Sequence, residues 1–340
     1  MPGNELPLNL IESILVPHQG FASALRSIEQ VFDVSESVTE SVGKPLIAES
    51  RTGKSRVIKE FVRRHPRSRN RDGLVVPVLS VKTPSKPTVK GLVELLLSRI
   101  GDPRAHIGTE NQKTDRLMTL LAAAETRVMV IDEFHHFVDK GSMKVQHYLS
   151  DWLKVFLDDS GVGAVVVGLE SSMAVLQQNE QLRGRFLAPV RLTRFNWNNS
   201  CQRSEFVAVL SSFEKVMSEY IDMPEMANSN MGFRIYVATG GLIGYLTMFL
   251  NQLVWNAIAA GANTLTLKDF HKAYEGSIAA ESDVANKAGN PFVKSFDTDP
   301  TAAVLASALQ VGVPAPEPST TTRRRRSGKR PTVGSALTAT

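Results

Sequence analysis

The residues best suited to chemistry are a lysine and a serine at the start of a predicted helix. Residues 48–55 read AESRTGKS, which matches the phosphate-binding pattern G-x-x-x-x-G-K-[ST] except that Ala48 replaces the first glycine. Gly53 would let consecutive backbone N–H groups face a phosphate, and Lys54 would neutralise the β- and γ-phosphates of a nucleotide. The Ser55 hydroxyl is suited to ligate Mg²⁺. A glycine-lysine-serine helix start without a nucleotide is the alternative.

A pair of acids after an apolar run supports the nucleotide interpretation. Residues 128–133 read VMVIDE and follow another alternation of strand and helix. Because the carboxyl ends of parallel strands face one crevice, Asp132 would hold Mg²⁺ and Glu133 would polarise the water that attacks a phosphate. Together the two motifs predict an ATP- or GTP-binding domain. Its predicted nucleotide-binding residues are Ser50, Arg51, Thr52, Gly53, Lys54, Ser55 and Asp132.

Two other groups of reactive side chains carry less weight. His135 and His136 follow Glu133, but adjacent residues on a helix point about 100° apart, so they are not expected to share one metal ion. Cys201 is the only cysteine of the chain. It permits no internal disulfide and no multi-cysteine metal site, which is typical of a reducing cytoplasm.

Two arginines at the end of a predicted helix could act on a neighbouring subunit. Residues 181–186 read QLRGRF, and an arginine there could reach a nucleotide bound to the next copy of the chain. Arg185 is the first candidate for this catalytic role and Arg183 the second. The alternative is that both cations simply stabilise the negative end of the helix dipole.

The elements that must position these residues alternate between strand and helix. Parallel pairing with right-handed crossovers is therefore predicted, which gives a three-layer α/β domain. Strands are predicted at residues 45–48, 75–81, 128–131, 163–168 and 190–192. Helices are predicted between them at residues 54–64, 88–100, 110–124, 142–157 and 171–182. After residue 197 the pattern is helical only, at residues 204–220, 234–239, 243–260 and 267–280, which predicts a small all-helical domain.

The chain has 340 residues, of which 42% are hydrophobic, so it can bury a core of normal size. It lacks an apolar run long enough for a membrane span and a basic N-terminal leader, so a cytoplasmic protein without membrane contact is expected. The net charge is +5, and six basic residues between 323 and 330 account for it, since removing them leaves −1. Residues 299–340, which include a stretch rich in Pro, Ser and Thr, are expected to be mostly mobile.

A second basic cluster lies inside the folded part, where five arginines fall within nine residues. Clustered positive charge attracts polyanions such as nucleic acids. A solvated surface that only aids solubility is the alternative for this cluster and for the C-terminal one. The five arginines are Arg63, Arg64, Arg67, Arg69 and Arg71.

Taken together, these motifs resemble the AAA+ ATPases, and within them the TniB/TnsC family of transposition regulators, relatives of the phage MuB protein. The resemblance rests on AESRTGKS, VMVIDEFHHF, AVVVGLESS and NEQLRGRFLAPVRLTRFNW and covers roughly residues 17–280. It implies an N-terminal partner-binding segment at 1–40, an AAA+ P-loop domain at 41–197, a helical lid at 198–285 and a flexible basic tail at 286–340.

The resemblance further implies a function. ATP and Mg²⁺ would control assembly of the chain with itself into rings or helical filaments on duplex DNA. That assembly would link a target selector of the TniQ kind to a DDE transposase of the TnsB or TniA kind. The DNA contacts would be phosphate contacts from loops on the inner face. Their candidates in this chain are Lys82, Lys86, Lys90, Arg104 and Lys113.

Two positions depart from the family pattern and predict slow, regulatory ATP hydrolysis. Leu169 follows the fourth strand where a small polar sensor is usual, so Glu170 or Ser171 would have to serve. Tyr245 stands in the lid where a second sensor arginine often lies. Two other functions remain open from the sequence: a AAA+ loader of a helicase or initiator, and a signalling NTPase that uses nucleotide as a switch and does not bind DNA.

Overall fold

Five parallel strands form the central sheet of the structure, a computed structural model that describes residues 5–37, 40–278 and 289–313. The order across the sheet is β4-β5-β6-β1-β7, and a separate antiparallel pair, β2-β3, lies outside it. The bounds are β1 Gly43–Ala48, β2 Ser68–Arg69, β3 Leu74–Val75, β4 Val78–Lys82, β5 Val128–Asp132, β6 Gly163–Gly168 and β7 Val190–Leu192.

Helices cover both faces of this sheet, which explains why β6 is buried along its whole length and why most residues of its neighbours β5 and β1 are buried and apolar. On one face, α2 and α3 pack through Ile28 and Phe61. On the other face, α4, α5 and α7 pack through a larger cluster of leucines and phenylalanines. The predicted three-layer α/β architecture is therefore confirmed. The helices of this part are α1 Leu10–Ser13, α2 Gln19–Val34, α3 Lys54–Arg64, α4 Val89–Ile100, α5 Glu110–Ala123, α6 His136–Asp139, α7 Met143–Ser160, α8 Met173–Gln178 and α9 Glu180–Arg185.

The part after β7 is helical, as predicted, and has its own aromatic and aliphatic core. No helix among the described residues is by itself long and apolar enough to cross a membrane; α11 and α12 pass that test only as a pair, and the chain bends by 109° between them. The helices here are α10 Ser200–Met217, α11 Ser229–Thr239, α12 Ile243–Ala260, α13 Leu267–Ser277 and α14 Ala302–Leu309.

Two predicted elements are divided in the structure. The strand expected at residues 75–81 is broken at Pro77, which lacks the N–H that a continuous ladder requires, so β3 ends at Val75 and β4 begins at Val78. The helix expected at residues 171–182 is interrupted at Asn179, whose backbone is extended and whose side chain caps α9 by accepting from the N–H groups of Gln181 and Leu182.

The C-terminal segment also differs from the expectation of a mostly mobile chain from residue 299. Residues 299–313 include α14, and Leu305, Ala308 and Val311 are buried in the helical core. Leu305 and Ala308, three residues apart, lie on one face of the helix, and Val311 follows in the turn after it; the surrounding Pro-, Ser- and Thr-rich composition obscured this pattern. The basic residues 323–330 lie outside the described residues.

Candidate active site

The phosphate-binding loop is formed between the end of β1 at Ala48 and the start of α3 at Lys54. Two of its residues adopt left-handed backbone angles, Arg51 with φ of 63° and Gly53 with φ of 102°. The Thr52 hydroxyl donates to the Glu49 carbonyl over 2.8 Å and tightens the turn. A Cβ at Gly53 would meet nothing within 4 Å, so space does not exclude a larger residue there. Glycine is required because other residues rarely adopt this φ.

Lys54 is buried and lies close to the acidic pair of β5. Its Nζ donates to the carbonyl oxygens of Ala48 and Glu49 over 3.0 and 3.2 Å. Burial lowers the pKa of Lys54, while the negative charges of Glu133, Asp132 and Glu49 oppose that shift. The predicted convergence of the loop lysine and the two acids at one rim of the sheet is thus present. It requires parallel strands, because β1 and β5 both pair with β6 in parallel and so end at the same rim.

The acids themselves are held by a turn that begins where β5 ends. Burial raises the pKa of Asp132, and its Oδ1 accepts a hydrogen bond from the Glu133 N–H over 2.8 Å. Glu133 has a left-handed φ of 55°. Its carboxylate lies between an ammonium group and an imidazole ring, with Lys82 Nζ 3.7 Å from Oε1 and His135 Nε2 3.3 Å from Oε2. A residue held in this backbone region costs energy and is typical of functional sites.

The expectation that the two histidines cannot approach one point together with Glu133 is wrong in its geometry. One ligand atom from each of Glu133, His135 and His136 lies within 4.8 Å of the others. Although His135 has right-handed helical angles, the centres of the two imidazole rings lie only 4.7 Å apart, so the side chains bring their nitrogens together despite the angular spacing of the backbone. Two of these groups already have partners within the protein. Glu133 is paired with the Lys82 ammonium, and His136 Nδ1 lies 3.2 Å from the Thr83 carbonyl.

The helical part closes over the phosphate-binding loop. The Gly244 N–H donates to the Arg51 carbonyl over 2.7 Å, and a Cβ at Gly244 would lie only 2.7 Å from that oxygen. The Arg51 guanidinium lies 4.5 Å from the ring centre of Tyr245. Tyr245 therefore contacts the loop at the position where the family pattern has a sensor arginine.

A largely apolar cavity of 240 Å³ opens beside the loop, between the N-terminal segment and the helical part. Sequence reasoning missed it because its walls come from three distant stretches of chain. It combines apolar walls with the loop glycine, which suits a planar base attached to a phosphate chain bound by the loop. The lining includes Ile11, Ile14, Val16, His18, Phe21, Gly53, Arg56, Phe213, Ile243 and Gly244.

Arg194, which follows β7, was also missed. Its Nη2 lies 2.7 Å from Glu49 Oε2 in the phosphate-binding loop. Its Nη1 donates to the carbonyls of Leu309 and Val311 over 3.0 and 3.2 Å. This residue joins the loop to the C-terminal segment, and only the arginine-rich sequence around it hinted at a role.

The two sensor candidates differ in their surroundings. Glu170 is exposed and its Oε1 accepts from Arg191 Nη2 over 2.8 Å, which lowers the pKa of Glu170. Ser171 Oγ is buried and has no hydrogen-bond partner within the described ranges. Gly168 precedes them, and a Cβ there would clash with the Ser172 hydroxyl at 2.2 Å.

The predicted intersubunit arginines lie in α9 and its last turn. Arg185 forms ion pairs within its own chain, with Glu40 and with Asp158, the latter at 2.9 Å. Arg183 is exposed, and no ion pair of its side chain occurs in the part of the chain that the structure describes.

Four of the five candidate DNA-contacting residues are exposed, namely Lys82, Lys86, Lys90 and Arg104. The prediction that Lys113 contacts DNA is wrong. Its side chain has no exposed surface, and its ammonium is paired with the Glu94 carboxylate. The helical pattern of α5 turns this lysine toward α4, so it cannot reach a phosphate from solvent and its role is structural.

The chain is similar to a known protein family over more than half of its length. The family described as "Bacterial TniB protein" matches residues 9–197. No curated protein sequence matches the chain.

Solved structures share the fold at low identity. The ORC2 protein of Aeropyrum pernix, in ADPNP–ADP complexes, superposes with a TM-score of 0.61 at 14% identity and covers 83% of this chain and 74% of that one. Cdc6p of Pyrobaculum aerophilum gives 0.55 at 13%, covering 79% and 71%. The ORC1 protein of A. pernix in complex with DNA gives 0.57 at 12%, covering 83% and 70%. The match over residues 9–197 shows that the chain belongs to the bacterial TniB family, and its two phosphate-site motifs and its fold are those of a AAA+ ATPase.

Proposed function

We propose that this protein is an ATP-dependent regulator of DNA transposition that assembles on duplex DNA. The observation that carries the proposal is the contact between Lys82 and Glu133. Lys82 is an exposed cation at the end of β4 and a candidate for binding a DNA phosphate, yet its Nζ lies 3.7 Å from the carboxylate expected to activate water. A DNA phosphate and the Glu133 carboxylate would thus compete for one ammonium group.

The donors present fit a magnesium nucleotide. Ser55 offers a hydroxyl at the start of α3, and Asp132 offers a carboxylate close to Lys54, which are the oxygen ligands that Mg²⁺ prefers. Ser55 and Asp132 would hold Mg²⁺, whose positive charge would offset that of the phosphates. Lys54 would bind the terminal phosphates, and the 240 Å³ cavity would bind the base.

Within this site Glu133 orients the attacking water. Its carboxylate is held by Lys82 and His135, and burial lowers the pKa of His135, which favours a neutral ring there. When a DNA phosphate binds Lys82, Oε1 of Glu133 loses its cationic partner and becomes free to accept a proton from water. ATP turnover would then rise on DNA.

Assembly of subunits would supply the remaining charge. An arginine of a neighbouring copy would stabilise the transferring phosphate in trans. Arg183 fits this role better than Arg185, because Arg185 is already paired with Glu40 and Asp158. The TniQ-like selector and the TnsB- or TniA-like transposase remain proposed partners, which the family membership supports.

An initiator or helicase loader is the second candidate. It is supported by the similarity to ORC1 of A. pernix, whose structure contains DNA. The TniB match over residues 9–197 favours transposition instead. A nucleotide switch without DNA is the third reading, and it predicts indifference to DNA.

Electron microscopy of the full chain tests the proposal, with a non-hydrolysable ATP analogue, duplex DNA, or both. Rings or filaments that form only with both ligands are expected, and their absence from the Lys54→Ala variant is the matched control. Lys82→Gln should abolish stimulation of ATP hydrolysis by DNA. Assemblies that ignore DNA would contradict the proposal, and delivery of a helicase in place of recruitment of a transposase would favour the initiator reading.

A further inference from the structure

The basic cluster of residues 63–71 is only partly neutralised by the fold. Arg63 and Arg64 both bind the Glu60 carboxylate, with N–O distances of 2.7 and 3.1 Å. Arg67, Arg69 and Arg71 are exposed, and within the described ranges none of them forms an ion pair with an acid. The positive charges of Arg63 and Arg64 are therefore balanced by an acid, whereas those of Arg67, Arg69 and Arg71 are not; these three are called the uncompensated arginines.

The uncompensated arginines lie on a small, well-formed hairpin. Strands β2 and β3 pair through Ser68 with Val75 and Arg69 with Leu74. The turn is fixed by the Asn70 side chain, whose Oδ1 accepts from the N–H groups of Asp72 and Gly73, each over 2.9 Å. Asn70 also donates to Glu125 Oε1 over 3.0 Å, which ties the hairpin to the loop before β5.

A fourth arginine joins this hairpin from the end of α4. Arg67 Nη2 donates to the backbone carbonyl of Arg99 over 2.8 Å, so the two cationic side chains are neighbours. Burial and the positive charge of Arg99 both lower the pKa of Arg67. Holding like charges together costs energy. Two acids belong to this region of the described chain, Asp72 at the tip and Glu125 beside Asn70, and neither forms an ion pair with these arginines.

The hairpin lies near the amino ends of the parallel strands, whereas the nucleotide site lies at their carboxyl ends. Helix α3 begins at Lys54 in the phosphate-binding loop and ends at Arg64, so its 11 residues carry the chain about 16 Å away from the phosphates. Strand β4 then returns to the nucleotide edge at Lys82. The arginines are therefore separate from the lysines at the other end of β4.

We propose that Arg67, Arg69, Arg71 and Arg99 form a second binding surface for the phosphate backbone of duplex DNA. Guanidinium groups bind phosphate oxygens through paired hydrogen bonds, and a rigid hairpin presents them at little entropic cost. Such contacts carry no sequence information and depend steeply on salt. The inference rests on the proposed function for the identity of the polyanion and adds to it a contact surface outside the nucleotide edge.

The test is the salt dependence of DNA affinity, measured by fluorescence anisotropy with the full chain, labelled duplex DNA and a non-hydrolysable ATP analogue. The variant Arg69→Gln/Arg71→Gln/Arg99→Gln leaves Arg67 and its bond to a backbone carbonyl in place. Each lost phosphate contact reduces the slope of log K against log salt by about 0.9. A slope shallower by about 2 to 3 and an affinity at least about tenfold lower are expected.

The matched control removes three positive charges from the exposed surface of the helical part, as Arg203→Gln/Lys215→Gln/Lys268→Gln. Its slope should stay within 1 of the wild-type value, on the order of one contact. An equal loss in this control, or an unchanged slope in the hairpin variant, would overturn the inference.

Two further readouts separate the possible failures. Loss of polyglutamate binding with an unchanged DNA slope would assign the hairpin to an acidic polypeptide and also overturn the inference. If DNA affinity depends on Lys82, Lys86 and Lys90 but not on the hairpin, only this inference fails. If the wild-type chain does not bind DNA at all, the proposed function fails with it. Unchanged ATP affinity of the hairpin variant confirms that it folds.

Discussion

Replacing Arg194 with methionine should release the C-terminal segment from the phosphate-binding loop. The Arg194 side chain is only 12% exposed, and its guanidinium bonds to Glu49 on one side and to the carbonyls of Leu309 and Val311 on the other. Methionine keeps much of the apolar stem and removes every one of these bonds. Any loss of stability in the docked segment should therefore come from these hydrogen bonds and the ion pair, and not from lost packing.

The magnitude follows from the contacts. A hydrogen bond from a charged group contributes about 1.5–3 kcal/mol. The bonds to Leu309 and Val311 share the single nitrogen Nη1, so together they are comparable to about one such bond, and we expect docking of α14 to weaken by about 2–3 kcal/mol. The buried Leu305 and Val311 contribute about 3–6 kcal/mol by themselves, an upper estimate. The segment should stay docked on average but open more often.

Hydrogen exchange of the backbone amides in α14 measures this opening directly. A change of 2–3 kcal/mol lowers protection by about 30- to 160-fold. The control is Arg191→Met, since Arg191 and its partner Glu170 are both exposed and such a pair contributes less than about 1 kcal/mol. Unchanged protection of α14 in Arg194→Met, or an equal loss in the control, would refute this reasoning.

Three other perturbations test separate parts of the structure. Glu133→Gln should retain ATP binding but abolish turnover, because the amide cannot accept a proton from water; normal hydrolysis rates would remove Glu133 from the catalytic role. Gly244→Ala should destabilise the fold by about 1–3 kcal/mol in a denaturant titration, because its Cβ would lie 2.7 Å from the Arg51 carbonyl, whereas Gly184→Ala has open space and should not; equal midpoints would contradict this. Two arginines lower the pKa of Glu60 to about 2 from 4.5, so its contribution to stability is present above pH 4.5 and is lost as the pH falls toward 2; Glu60→Gln should flatten the stability profile in that window, and an unchanged profile would argue against the pair.

Local sequence signals predicted most of the sheet and its helices. The boundaries of β6, β7, α3 and α12 match the expectation, because apolar periodicity and cap residues lie within each segment. Thr109 and Gln112 form a capping box at the start of α5, which is a signal of the same local kind. Motif spacing likewise predicted that Lys54 and Asp132 lie at one rim, since parallel strands align their carboxyl ends.

What the sequence did not predict depends on contacts between distant segments. The burial of Lys113 against Glu94 follows from how α5 packs on α4, and its charge alone suggested an exposed residue. The roles of Arg194 and of the cavity beside the loop require the C-terminal segment and the N-terminal segment to pack against the same site. Local patterns carry no information about such long-range neighbours.

The central claim is that one lysine and two acids at the carboxyl edge of the sheet bind and hydrolyse a single nucleotide. Calorimetric titration of ATP with Mg²⁺ into the wild-type chain and the Lys54→Ala variant tests it most directly. We predict one binding site in the wild type and no measurable binding in the variant, whose unfolding transition should otherwise be retained. Undiminished ATP affinity in Lys54→Ala would contradict the account.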